Sequence, residues 1–143
     1  MYMIKVMYGK KGTGKTKFLV NSANSLASEK LGDIVFIDSS DQLMYDLKHE
    51  IRFINTSEFP RMGMAGFLGF ICGIVSEDYD IKGIFIDGLT YIVNNDINSE
   101  NSYSWTEFFD SLKQLANKYK IDFYISMNCE CEAIPEYLQE FVA

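Results

Sequence analysis

Between an apolar run, Tyr2–Tyr8, and the first stretch of helical periodicity lies the octet Gly9-Lys10-Lys11-Gly12-Thr13-Gly14-Lys15-Thr16. A short β-branched and aromatic segment that stops at glycine reads as a buried strand, and Phe18, Leu19, Ala23, Leu26 and Ala27 recur at helical spacing from Lys15 onward. The chain must therefore fold locally as strand, glycine-rich loop, helix. Such a loop suits phosphate. Several backbone N–H groups have to meet the anion at once, which requires glycines where side chains would block the approach or where the backbone turns left-handed. Gly12 and Gly14 supply that freedom. The octet fits the G-x-x-x-x-G-K-[ST] pattern at every specified position. It also opens a helix, whose N-terminus adds partial positive charge. Lys15 is expected to reach the terminal phosphates of a nucleotide and the Thr16 hydroxyl to ligate magnesium. A plain lysine-rich turn is the alternative. In a chain of net charge -7, however, Lys10, Lys11 and Lys17 beside Lys15 form a local focus for a polyanion.

The rest of the chain alternates in the same way, with no repeat and no low-complexity tract. Asp33–Asp38 (DIVFID) reads as a second buried strand, and Ser39 with Gln42 as a capping box for a short helix through Lys48. Ile51–Asn55 is a candidate further strand. Met62–Val75 carries no charge but, at 14 residues, is too short to span a bilayer, so a buried helix is expected. Its glycines, Gly63, Gly66, Gly69 and Gly73, suggest close approach of a neighbouring backbone. Ile81–Asp87 (IKGIFID) is another strand ending in an acid, and the polar stretch from Asn94 to Ser102 reads as an exposed loop. Ser104 and Glu107 form a capping box ahead of Trp105, Phe108, Phe109, Leu112, Leu115, Ala116 and Tyr119, the best-patterned helix. Ile121–Met127 is the last strand, and Pro135 suits the first turn of a terminal helix. This order predicts one domain over residues 1–143: a three-layer α/β/α sandwich with a mainly parallel sheet of four or five strands.

Composition narrows the function. Twenty acidic against thirteen basic residues disfavour nucleic acid as partner, since phosphate neutralisation is the main source of such binding. Three cysteines, Cys72, Cys129 and Cys131, are an odd number, and no signal-peptide pattern opens the chain, so a reducing cytoplasm and no membrane span are expected. The Cys129-x-Cys131 pair, with Glu130 and Glu132, lacks the further ligands that a zinc site requires.

A phosphate loop acting on a magnesium–nucleotide complex needs a second acid to orient the metal. Asp87, closing an apolar strand, is the candidate, although Asp87-Gly88 is also a common turn. Asp38 ends the other buried strand and either holds metal or water, or merely caps the turn that follows.

The octet Gly9–Thr16 together with Asp87 resembles the P-loop nucleoside triphosphatases. The strand Asp33–Asp38 lies between the two motifs, and a later strand ends in polar Ser126 and Asn128, where RecA-like members carry a phosphate-sensing residue. The chain is thus similar to the RecA-like branch. As a whole it also resembles a group of small bacterial proteins described as ATP-binding or, by analogy, as twitching-motility ATPases. The single His49 does not supply the histidine motifs of pilus motors. The resemblance implies ATP and Mg2+ as ligands, with Gly9, Lys10, Lys11, Gly12, Thr13, Gly14, Lys15 and Thr16 around the nucleotide and Thr16 and Asp87 on the metal. Lys15 and Asp38 are then the expected catalytic residues. Gly88 stands where many relatives place a water-activating glutamate. Asp38 becomes the candidate base if its strand lies beside that of Asp87, as RecA-like strand order implies, with Asp41 a weaker second.

Three activities remain open on the residues. A slow Mg-dependent ATPase or nucleotide-dependent switch comes first. A small-molecule or nucleotide kinase shares the loop but usually clamps the transferring group with several arginines, and this chain has only Arg52 and Arg61. A non-catalytic module stabilised by nucleotide for a protein partner is the third. Either arginine could act across a homo-oligomer interface, or serve as surface charge. Phe67, Phe70 and Ile71 are expected to pack on the sheet rather than to meet a partner or membrane.

Overall fold

All five strands run parallel, in the order β1-β5-β4-β2-β3. The computed structural model describes residues 2–95, 102–130 and 133–142. In chain order the elements are β1 (Ile4–Gly9), α1 (Lys15–Ser28), β2 (Asp33–Asp38), β3 (Arg52–Asn55), α2 (Met64–Glu77), β4 (Ile81–Ile86), the short α3 (Leu89–Ile92), α4 (Ser102–Tyr119) and β5 (Asp122–Asn128). The architecture is α/β. No helix among the described residues is long and apolar enough to cross a membrane.

The period-2 alternation of each strand divides the core between the two faces of the sheet. Ile34, Phe36 and Phe85 cluster with Leu19, Val20, Ala23 and Ala27 of α1. Their sequence neighbours Val35, Ile37, Ile84 and Ile86 cluster instead with Phe67 and Ile71 of α2 and Trp105, Phe109 and Leu112 of α4. Both faces are therefore covered, which is why these strands are almost continuously apolar. On the α1 face, Phe53, Phe36, Phe85 and Tyr124 stand in register across four strands. Neighbouring rings are stacked at 6.3, 6.0 and 4.5 Å. This row ties the strand order to side-chain size, and the full burial of Phe36 and Phe85 contributes about 1.5–3 kcal/mol each.

Several local expectations fail for identifiable reasons. The segment after Asp38 forms only a single 3-10 turn, Met44–Asp46, because Asn24 of α1 takes its polar groups: its side chain donates to Asp46 O at 2.9 Å and accepts from the Lys48 N–H at 2.9 Å. Pro135 likewise precedes one 3-10 turn, Glu136–Leu138, and not a helix; the chain is then pulled straight onto the edge of β1, where Val6 N–H donates to Phe141 O. Gly32, on sequence a plausible C-terminal stop for the first helix, does not end α1. Lys30, at φ 54°, makes the left-handed turn instead, while Gly32 packs where a side chain would strike the Asp80 carbonyl and the Lys82 stem. Ser104 lies inside α4, whose helical backbone begins at Ser102, so it is not the cap.

The glycines along this segment meet no neighbouring backbone: a Cβ at Gly63, Gly69 or Gly73 would find nothing within 4 Å, and one at Gly66 would touch only the Met62 side chain, at 3.5 Å. Helix α2 buries Phe67, Ile71, Ile74 and Val75 against the sheet, and Phe70 is partly buried beside them, which leaves the glycine side outward. Most of the expected Asn94–Ser102 loop, residues 96–101, and Cys131 with Glu132 lie outside the described residues.

Candidate functional site

In an all-parallel sheet every strand delivers its C-terminal residue to one edge, and ligand crevices form there. Here that edge carries Gly9 (β1), Asn128 (β5), Asp87 (directly after β4) and Asp38 (β2). Gly9 is in register with Asn128. The Asp87 N–H donates to Ile37 O at 2.9 Å, which holds the exit of β4 against the end of β2. A cleft of about 420 Å3 opens above this edge, lined by Lys11, Gly12, Gly14, Lys15, Thr16, Asp38, Asp87 and Asn128, with Ser39, Gly88 and Tyr91 completing its wall.

The octet is built as a cradle. Gly12 and Gly14 have φ of 86° and 83°, the left-handed region that favours glycine, and Gly14 is the N-cap of α1. With no capping side chain and no acid in the first turn of α1, its N-terminal N–H groups and dipole are left for an external anion. Gly9, Lys10 and Thr13 do not line the cleft; they hold the loop around Lys15. Its ammonium donates to Gly9 O at 3.1 Å, Lys10 O at 2.5 Å and Thr13 Oγ1 at 3.1 Å. Thr13 Oγ1 in turn donates to Lys10 O at 2.9 Å. Burial lowers the Lys15 pKa from its usual value, and the facing Asp87 carboxylate partly opposes that shift.

Across the cleft the Thr16 hydroxyl donates to Asp87 Oδ2 at 3.0 Å, with Oδ1 at 3.2 Å. Ser126, only 2% exposed, donates to Asp87 Oδ1 at 2.6 Å and accepts the Gly88 N–H at 2.8 Å. It therefore orients Asp87 and does not line the cleft; Asn128, two residues on, does. The turn after Asp87 needs glycine because Gly88 has φ 77°. A glutamate at this position would be strained, so the backbone itself accounts for the missing carboxylate.

Asp38 is 7% exposed, and its Oδ1 accepts the Ser39 N–H at 2.7 Å. Burial pushes its pKa up from 3.8 to about 6; the Ser39 N–H pulls against this, and the charge of Asp87 adds to the rise. The cleft thus joins an ammonium and a helix N-terminus to two carboxylates, and burial makes one of them, Asp38, harder to ionise.

The oxygen donors of Thr16 and Asp87 fit a hard divalent cation such as magnesium, which takes one or two protein ligands and completes its shell with ligand oxygens and water. Among the described residues no group of three or more His, Cys, Asp or Glu side chains forms a cage for another kind of metal. Cys129 is partly buried at the end of β5, and Cys72 is exposed on α2. Asp41 and His49 do not line the cleft, and neither does Arg61, which lies in a neighbouring one.

The sequence reading missed Tyr91 and Ser39 as wall residues. Tyr91 sits on α3, a four-residue helix with no capping side chain to announce it. Ser39 looked like a helix cap, but it is Ser40 whose Oγ accepts the Gln42 N–H, at 3.4 Å. No protein-family model and no curated protein matches the chain.

Proposed function

We propose that this chain is a P-loop nucleoside triphosphatase of the RecA-like branch, which binds ATP with Mg2+ and hydrolyses it slowly as a nucleotide-dependent switch. The observation that carries the reading is the Thr16–Asp87 hydrogen bond, at 3.0 Å, on the rim of a cleft that also holds Lys15 and the N-terminus of α1. Cation ligands and anion donors converge there in the arrangement that a magnesium–triphosphate complex requires. The strand order supports it as well: β4 with Asp87 and β2 with Asp38 are neighbours, and β5, ending in Ser126 and Asn128, lies between β4 and β1.

In this reading the backbone N–H groups from Gly12 onward and the Lys15 ammonium bind the β- and γ-phosphates. Lys15 exchanges its loop acceptors for phosphate oxygens. Thr16 and Asp87 would hold magnesium, which when bound supplies charge neutralisation on the same oxygens. Ser126 keeps Asp87 turned toward it. Asp38 accepts a proton from the attacking water as the new O–P bond forms and the bond from the γ-phosphorus to the leaving ADP oxygen breaks. A carboxylate with pKa about 6 is mostly ionised at neutral pH, yet it is a stronger base than an exposed aspartate. With Gly88 unable to offer a carboxylate, Asp38 is the base available in the cleft, and a single modest base accords with slow turnover.

Calorimetry with ATP and magnesium, followed by phosphate release, tests the proposal. Saturable binding that Lys15→Ala abolishes, with hydrolysis lost in Asp38→Asn while binding remains, is expected. No saturation with any adenine or guanine triphosphate at millimolar concentration would overturn the nucleotide reading. Unchanged hydrolysis in Asp38→Asn would remove that residue from the chemistry.

A further inference from the structure

A second cleft, of about 240 Å3, adjoins the first and shares Ser39 and Tyr91 with it. Its rim is built from the segment between β3 and α2. Asn55 fixes that segment by accepting the Ser57 N–H at 3.0 Å and the Ser57 hydroxyl at 2.7 Å, and Phe59 N–H donates to Thr56 O at 3.1 Å. Phe59, 47% exposed, leans on Phe70 of α2 with ring centroids 5.7 Å apart. Tyr91, 72% exposed, belongs to the wall shared with the first cleft. One charged group lines the cavity among the described residues, Arg61, and no acidic side chain does. The ion pair found among those residues joins Lys113 to Glu140, so among the described residues of this acidic protein the Arg61 guanidinium has no carboxylate partner.

A cavity with aromatic walls, hydroxyls and one guanidinium that has no carboxylate partner among the described residues matches a definite ligand chemistry. The aromatic faces take a planar apolar body, and arginine's planar fork takes a carboxylate or phosphate. We propose that this cleft is a second binding site, for a small molecule that carries an anionic group on an aromatic body, with Arg61 gripping the anion beside Ser39 and Tyr91. The site stands on its own cavity. It rests on the nucleotide reading only for the expectation that its ligand lies next to bound phosphates.

The test is residue-resolved NMR titration of the full chain with phenyl phosphate and benzoate, using phenol and inorganic phosphate as controls, first alone and then with a non-hydrolysable ATP analogue and magnesium present. Both aryl anions are expected to produce saturable shifts at Thr56, Ser57 and the Arg61 Nε–H, with at least tenfold weaker binding in Arg61→Gln and for either control. Shifts confined to Gly12, Gly14 and Lys15, equal affinity for inorganic phosphate, or unchanged binding in Arg61→Gln would overturn the proposal. The loop signals report the nucleotide separately: silence there with a response at Arg61 refutes only the nucleotide reading, and the converse refutes only this one.

Discussion

The Thr16 hydroxyl and the Asp87 carboxylate meet at 3.0 Å although 71 positions separate them in the chain. That meeting depends on Ser126, which clamps the other side of the same carboxylate at 2.6 Å. Second-sphere partners of a metal ligand typically govern ten- to hundredfold in affinity. On the proposal that Asp87 holds magnesium beside bound ATP, Ser126→Ala is expected to weaken magnesium-dependent ATP binding by about tenfold or more, and to leave binding in excess chelator nearly unchanged. Calorimetry under the two conditions separates them; equal losses in both would show that Ser126 acts on the fold and not on Asp87.

Asp38 should make the protein's stability fall as pH rises. Its carboxyl titrates near 6 in the folded protein against 3.8 in the unfolded chain, so well below pH 3.8 it is neutral in both states and costs nothing. Between pH 3.8 and 6 the unfolded state ionises while the folded carboxyl holds its proton, and above 6 the folded state has to carry a buried charge that the unfolded state carries freely. The difference approaches about 3 kcal/mol at neutral pH. Asp38→Asn keeps an oxygen for the Ser39 N–H and removes the charge. Denaturant unfolding is expected to show a variant more stable than wild type at pH 7.5 and close to it at pH 4; an identical pH profile for both proteins would refute the assignment.

Glycines in this chain should respond to alanine in opposite directions. At Gly69 and Gly73 a Cβ finds open space on a regular helix, so each substitution is expected to stabilise by about 0.5–1 kcal/mol. At Gly88 the Cβ also finds space, but φ is 77°, and the cost is about 1–2 kcal/mol of backbone strain. Thermal unfolding of the three variants checks this. A stabilised Gly88→Ala would mean that the turn after Asp87 relaxes readily to another conformation.

Removing Phe85 should be the most damaging of these changes. Its ring lies between those of Phe36 and Tyr124, fully buried beneath α1. Phe85→Ala is expected to cost about 3–5 kcal/mol in denaturant unfolding. A loss below 1 kcal/mol would show that α1 collapses into the gap and that the aromatic row is not a determinant of strand order.

The elements whose signal is periodic were readable in advance. Asp33–Asp38 matches β2 residue for residue, and the apolar positions Trp105, Phe108, Phe109, Leu112 and Ala116 are the buried face of α4. The octet was readable too, because its glycines answer a local backbone requirement. What failed were short pieces whose conformation is set by distant partners. The turn at Met44–Asp46 is held by Asn24, and the segment after Pro135 is drawn onto β1 by Val6. Helix α3 with Tyr91 gave no warning, since four residues carry no period to detect.

Residue order alone was enough to specify an alternating α/β chain, a loop suited to phosphate and two acids at the ends of apolar strands, because spacing and backbone angle are properties of neighbours. It did not say that Asp38 would be buried beside Asp87, that Ser126 would clamp Asp87 from behind, or that Arg61 would face a cavity sharing a wall with the cleft above the glycine-rich loop. Those relations follow from β4 pairing with both β2 and β5. Strand pairing is decided by how whole side-chain surfaces fit together, and no local pattern contains that information.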